Sequence, residues 1–322
     1  MKFSVIIPLY NKAPYVSKAI GSILSQTYTD FELVIVDDGS KDDSYAVASK
    51  AIEGASNCQI YRQENAGVSM ARNNGVAFSK GDYLCFLDAD DWWEPAFLEE
   101  MSRLIEEFPD AGIYGTNYTI VNESHHRTRV ASIGVEEDFE KGYINYCQVY
   151  AKTMYMPLTS ISVAIPRLIF EEIQGFPEEI RFGEDFLLWI RIALKHKVVF
   201  LNKPLAYYNQ DVELANRGLG HLHKPHQHML WNQELLSEEK RNPDLKQLLD
   251  NLRTFSLMPY YISKDYHDDA AKELGKVDWN KQSLKTKMQY KKPIVWLRLQ
   301  NAFFGMGSKC KQMLLKILRN NY

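Results

Sequence analysis

Three carboxylates within four residues, Asp88, Asp90 and Asp91, follow directly on the apolar run Tyr83 to Leu87. A run of that length after the turn pair Gly81 and Asp82 reads as a buried strand of a parallel sheet. Gathering so much negative charge at the end of a buried strand is costly unless something cationic neutralises it. Hard oxygen donors of this kind suit Mg2+ or Mn2+, which makes the Asp-x-Asp a candidate metal site. The plainer alternative is that Asp90 or Asp91 caps a helix opening over Trp92 to Ala96, with Pro95 in its first turn. The residues alone leave both readings open. A second acidic pair, Glu184 and Asp185, begins the helix-periodic stretch GEDFLLWIRIALKH, where the helix dipole favours carboxylates for purely structural reasons as well.

The elements that must position these groups follow from periodicity. Phe3 to Ile7 is apolar and of strand length, and it is closed by Pro8, Tyr10 and Asn11. Val16, Ala19, Ile20, Ile23 and Leu24 then form the stripe of an amphipathic helix. A second strand, Phe31 to Val36, runs into Asp37, Asp38, Gly39 and Ser40. A helix to about Ala55 and a short strand from Gln59 to Arg62 precede ENAGVSMARNNG, a loop and helix in which Gly67 and Gly75 permit close backbone approach. After the Tyr83 strand come a helix over Ala96 to Glu107 and strands over Ala111 to Val121 and Ser160 to Ile165. Val130 to Tyr155 carries no motif. Alternating strands and helices demand an α/β fold with a mostly parallel sheet flanked by helices. In such sheets the ligand crevice lies at the carboxyl ends of the strands, where Pro8 to Asn11, Asp37 to Ser40, Asn65 to Arg72 and Asp88 to Asp91 would meet. Neither a Gly-x-Gly-x-x-Gly after the first strand nor a Walker A sequence is present, which argues against dinucleotide and P-loop chemistry.

Composition bounds the rest. A chain of 322 residues, 45% hydrophobic and 25% charged, is expected to be a soluble globular protein. No stretch reaches the roughly 18 apolar residues of a membrane span, and Pro8 breaks the only apolar run near the start, so no signal peptide is expected. Four scattered cysteines without metal spacing fit a reducing cytoplasm. Residues 281–322 hold ten Lys or Arg and no Asp or Glu, although the whole chain has a net charge of −3. Cys310, Met313, Leu314, Ile317 and Leu318 fall on one helical face with Lys309, Lys311, Lys316 and Arg319 around it. That pattern suits a peripheral contact with the inner face of the cell membrane, and the competing partner is a second copy of the chain in a homodimer. Nucleic acid is not an expected partner.

Five motifs in order resemble the family 2 inverting glycosyltransferases of GT-A fold: SVIIPLYN (4–11), VDDGSKD (36–42), NAGVSMARNNG (65–75), LDADDWWEP (87–95) and GEDFLLWIR (183–191). The resemblance covers roughly residues 1–210 and implies a catalytic domain over 1–220, with a nucleotide half to about 95. A helical accessory region over 221–280 and the basic tail over 281–322 would follow. It implies a UDP-sugar donor and a glycan or lipid-linked glycan acceptor in cell-surface polysaccharide synthesis. Pro8 and Tyr10 would frame the base, Asp38 would hydrogen-bond its edge, Gly67 would belong to the nucleotide-sugar site, and Arg72 would face the phosphates. Asp90 would hold Mn2+ or Mg2+ directly, with Asp88 either holding the ribose or joining the metal through water. Asp185 would be the general base and Glu184 would contact sugar hydroxyls. His221 or His223 is a candidate to join the metal, and Trp92, Trp93 and Trp189 are candidates to stack on sugar or to fill core. A phosphatase of the haloacid dehalogenase type also uses Asp-x-Asp at a strand end, but after the first strand rather than the fourth. The remaining alternative is a catalytically degenerate nucleotide-sugar binding protein.

Overall fold

The computed structural model describes residues 2–211 and 222–305. In chain order it builds β1 (Phe3–Leu9), α1 (Val16–Leu24), β2 (Phe31–Asp37), α2 (Ser44–Ala51), β3 (Cys58–Arg62), α3 (Val68–Phe78) and β4 (Tyr83–Phe86). There follow β5 (Trp92–Trp93), α4 (Phe97–Glu107), β6 (Ala111–Asn122), β7 (Arg127–Val130), β8 (Lys141–Ile144), α5 (Tyr146–Thr153), β9 (Val163–Pro166), α6 (Arg167–Glu172), α7 (Glu184–Lys195) and β10 (Lys197–Asn209). The helices α8 (Gln233–Glu238), α9 (Pro243–Ser256), α10 (Met258–Ile262), α11 (His267–Leu274), α12 (Leu284–Tyr290) and α13 (Ile294–Gly305) complete the described chain.

The chain divides into two compact units, Met1–Leu248 and Leu249–Tyr322. In the first, the sheet runs β3-β2-β1-β4-β9-β6-β10-β5, with β7 on β6 and β8 on β10. The long pairings β1 with β2, β1 with β4, β2 with β3 and β6 with β10 are parallel, and β9 runs antiparallel between the two halves. β1 and β2 are buried almost throughout, which explains their continuous apolar sequences. On α1 the buried stripe is Val16, Ala19, Ile20 and Ile23, while Leu24 is exposed. Gly75 is required by close packing: a Cβ there would lie 2.4 Å from Ile6 Cγ2, so α3 could not rest on β1.

The structure decides the alternative left open at Trp92 and shortens one expected strand. Trp92 and Trp93 do not begin a helix. They form β5, antiparallel to Tyr207 and Ala206 of β10, because large aromatic rings fit the pleated surface and the Trp93 indole N–H donates to Ile161 O at 2.6 Å. The helix starts at Phe97. Ser160 to Ser162 form a 3-10 turn, fixed by a reciprocal capping box between Thr159 and Ser162, and only Val163–Pro166 is extended.

In the second unit, Arg253 is fully buried between Asp250 (3.2 Å) and Glu273 (3.4 Å), which ties α9 to α11. An unpaired guanidinium could not be placed there. Cys310, Met313, Leu314, Ile317 and Leu318 of the expected tail helix lie outside the described residues.

Candidate active site

The carboxyl ends of β1, β2 and β4 lie side by side, and the loops that leave them carry the acidic cluster. Asp91 is buried and accepts from the backbone N–H of Asn209 at 2.7 Å, so it anchors the end of β10 and caps no helix. Burial first, and then the nearby Asp90 and Asp88, push its carboxyl well above the usual range. Asp90 is raised too, chiefly by burial, but Lys12 opposes this with its Nζ 2.6 Å from Oδ2. The sequence reading stopped at Asn11 and missed Lys12. The signal available was charge balance: a buried acidic cluster requires cations, and Lys12 is a basic residue on the first crevice loop.

Arg72 meets the other side of the cluster. Its side chain is 4% exposed, with Nη2 2.8 Å from Asp88 Oδ1 and Nη1 3.2 Å from Glu184 Oε1. The ring of Phe176 lies 5.0 Å beneath the guanidinium. One residue of α3 thus links the end of β4 to the start of α7, and the terminal nitrogens expected to face phosphate are directed at carboxylates. Glu184 is lifted to about 7 by burial and by repulsion from Asp185, against the pull of Arg72. Asp185 is also raised by burial, with Arg72 opposing. Its Oδ1 accepts from Phe186 N at 2.8 Å, and its Oδ2 has only a long 3.5 Å contact with Ser160 Oγ. Burial therefore outweighs the helix-start effect that would lower this pair.

Asp38 is buried, and both of its oxygens are engaged. Oδ1 accepts from Gln63 Nε2 (2.7 Å) and Ala66 N (2.8 Å), and Oδ2 accepts from Asn65 Nδ2 (3.1 Å) and Gly67 N (2.8 Å). These four donors fill its lone-pair positions and shape the loop that leads into α3. Gly67 caps that helix at φ +97°, a conformation open to glycine, and Arg181 Nη1 donates across it to Ala66 O at 3.0 Å. Pro8 is half-buried in register with Val36, and Tyr10 is exposed. Sequence reasoning gave no role to Gln63, Asn65 or Arg181.

The tryptophans sort cleanly. Trp189 is fully buried against Phe176, and Trp93 is buried and stacked on Phe97. Trp92 is covered on one face by Tyr207, which also donates to Glu94, while the Lys18 ammonium sits 3.0 Å from its ring centre. His221 lies outside the described residues. His223 lies against Phe182, and the buried His228 accepts from Leu230 N and is pushed down to about 3 by burial.

The donor chemistry suits a hard divalent cation, since Asp90 offers half-buried carboxylate oxygens and is already paired with a cation, the Lys12 ammonium. Among the described residues no three His, Cys, Asp or Glu side chains group to hold a metal, so an ion here would need further oxygen ligands such as phosphates.

Residues 4–161 match the family described as glycosyl transferase family 2. Among curated proteins, the chain is 35% identical to the glycosyltransferase GlyA of Streptococcus pneumoniae over 64% of this chain and 30% of GlyA. It is 44% identical to an uncharacterized glycosyltransferase of Nostoc sp. over 65% of this chain and 64% of that protein. The first curated relatives are thus matched over about a third of their length or less for GlyA and a Rickettsia felis glycosyltransferase, at 30% and 32%. Among solved structures, S. aureus TarS in complex with UDP-GlcNAc superposes with a TM-score of 0.70 at 21% identity, covering 85% of this chain and 80% of that one. The mannosyltransferase PcManGT of Pyrobaculum calidifontis, solved with GDP-Man and Mn2+, gives 0.55 at 19% identity over 94% of this chain and 84% of its own. These superpositions establish the GT-A fold.

Proposed function

We propose that this chain, whose residues 4–161 match glycosyl transferase family 2, moves a sugar from a UDP-sugar to a glycan or lipid-linked glycan acceptor with inversion at the anomeric carbon. The observation that carries this reading is the meeting, at one sheet edge, of Asp90 with its cation, the Asp88–Arg72–Glu184 bridge, and Asp185. UDP is favoured because TarS, on the same fold, was solved with UDP-GlcNAc.

In this reading catalysis belongs to residues 1–220. Pro8 and Tyr10 flank the base. Asp38 acts through the loop it shapes, presenting Asn65 and Gly67, and a base that reached its carboxylate would exchange with the Gln63 amide. Arg72 holds Asp88 and Glu184 in place. Asp90, with Asp88, would hold Mn2+ or Mg2+, which would supply charge stabilisation for the departing diphosphate. Asp185 removes the acceptor hydroxyl proton as that oxygen attacks the anomeric carbon on the face opposite the leaving UDP. Its raised basicity and lightly engaged Oδ2 suit that task. Glu184 contacts sugar hydroxyls. The acid-free tail over 281–322 serves peripheral attachment to an anionic membrane, and in the second unit Leu284, Met288, Val295, Trp296 and Leu299 already stand exposed among lysines.

Calorimetry tests the metal assignment. Asp90→Ala is expected to abolish Mn2+-dependent UDP binding, and unchanged metal-dependent affinity would overturn the placement of the site.

A further inference from the structure

We propose that Lys12 is a resident cation on Asp90 that is exchanged for the metal when the nucleotide arrives, and that its ammonium then moves onto the diphosphate. The proposal rests on the metal assignment made above and adds a residue and a coupling that this assignment does not contain.

The geometry is built for the contact. Lys12 Nζ lies 2.6 Å from Asp90 Oδ2, with the two side chains 15% and 17% exposed. The loop that carries Lys12 is fixed from the neighbouring β2–α2 connection. Lys12 N donates to Ser44 Oγ at 2.7 Å, Ala13 N to Asp42 Oδ2 at 3.2 Å, and Asn11 N to Ser40 Oγ at 3.1 Å. In return Lys41 N donates to Asn11 Oδ1 at 2.8 Å, with Asn11 held at φ +51°. Four bonds between two loops fix the backbone of Lys12, so the four-carbon stem is the part left to move.

The exchange follows from charge. A carboxylate this buried, with Asp88 and Asp91 beside it, does not give up its cation without a replacement. A divalent ion on Asp90 would stand within a few ångströms of the ammonium, and two cations that close repel strongly where water is excluded. The ammonium must therefore leave as the metal enters. The negative charge that arrives with the metal is the diphosphate, and an ammonium on a flexible stem is suited to follow it. Two consequences are linked: metal binds poorly to the nucleotide-free protein, and nucleotide and metal strengthen each other's binding by the same factor.

The test measures Mn2+ binding by electron paramagnetic resonance, first alone and then with UDP, in the full chain and in Lys12→Met, with thermal melts confirming that the variant is folded. Wild type is expected to bind Mn2+ about tenfold more tightly with UDP present. Lys12→Met should bind Mn2+ alone about tenfold more tightly than wild type, bind UDP less tightly at saturating Mn2+, and lose most of the coupling. Lys12→Arg, which keeps the cation, should keep the weak nucleotide-free Mn2+ affinity. If folded Lys12→Met binds Mn2+ alone no better than wild type while Asp90→Ala still loses metal-dependent UDP binding, the exchange is refuted and the metal site stands. If Asp90→Ala binds UDP and metal normally, the metal assignment fails and the exchange fails with it.

Discussion

Replacing Arg72 by Met keeps most of the stem over Phe176 but removes the charge that holds Asp88 and Glu184. Deleting one partner of a buried pair leaves an uncompensated charge and costs about 3–5 kcal/mol. The side chain of Glu184 is 14% exposed, and that of Asp88 is 33% exposed, so the Asp88 share is partly screened. We therefore expect the lower end, about 3 kcal/mol at pH 8. The pH dependence has a definite sign. Glu184 already titrates near 7 in the folded protein with Arg72 in place, against about 4.3 when unfolded. Between those values the folded state retains a proton that the unfolded state has released, so this group makes the protein less stable as pH rises. Losing Arg72 removes the largest pull that lowers Glu184 and lifts that carboxyl further. The deficit should accordingly grow from roughly 1 kcal/mol at pH 5, where protonated Glu184 needs no cation, to about 3 kcal/mol at pH 8. Urea denaturation at unit pH intervals measures it. The double variant Arg72→Met/Glu184→Gln should recover about half of the deficit at pH 8. A deficit equal at pH 5 and pH 8, with no recovery in the double variant, would refute the bridging role and leave Arg72 as packing on Phe176.

Four further outcomes are expected. Asp185→Asn should retain UDP affinity while transfer falls roughly 10²-fold or more, and near wild-type transfer in that variant alongside a dead Glu184→Gln would move the base to Glu184. Because burial raises both carboxyls, transfer should decline with acidification at a higher pH than an ordinary carboxylate would impose, which a pH–rate profile reads directly. Gly67→Ala, at φ +97° with its new methyl pushing Arg181 from Ala66 O, should cost about 1–3 kcal/mol in melting experiments and weaken UDP binding; an unperturbed variant would show that the loop tolerates another conformation. The full chain should sediment with anionic liposomes at low salt and be released as salt rises, and truncation after Asn280 should abolish this. Equal behaviour of the two forms would refute attachment through the tail, and dimerisation lost on truncation would assign it to a second copy.

The parts of the fold that could be read in advance were those set by local pattern. Continuous apolar runs identified β1, β2 and β4, and their alternation with helical stripes fixed the sheet edge at which the acidic loops meet. The segments left open or misread were decided by specific partners that periodicity does not express. The acids and Pro95 around Trp92 imitate a helix start, yet β10 claims Trp92 and Trp93 as a strand and takes Asp91 as the acceptor for Asn209 N. Thr159 and Ser162 bond to each other and delay β9 in the same way, a pairing that an apolar count does not register. The site divides along the same line. Residue types named the carboxylates, but which cation each one meets is a property of the assembled edge. Asp90 meets Lys12, while Asp88 and Glu184 share Arg72. Asp185, half-buried in the same crevice, forms no ion pair among the described residues and rests on one backbone N–H and one long hydroxyl contact. A carboxylate pinned to a cation has its lone pairs occupied, whereas Asp185 keeps one oxygen lightly engaged and open to a proton. That difference in pairing, which neither spacing nor motif expresses, favours Asp185 over its neighbour as the group that takes the acceptor's proton.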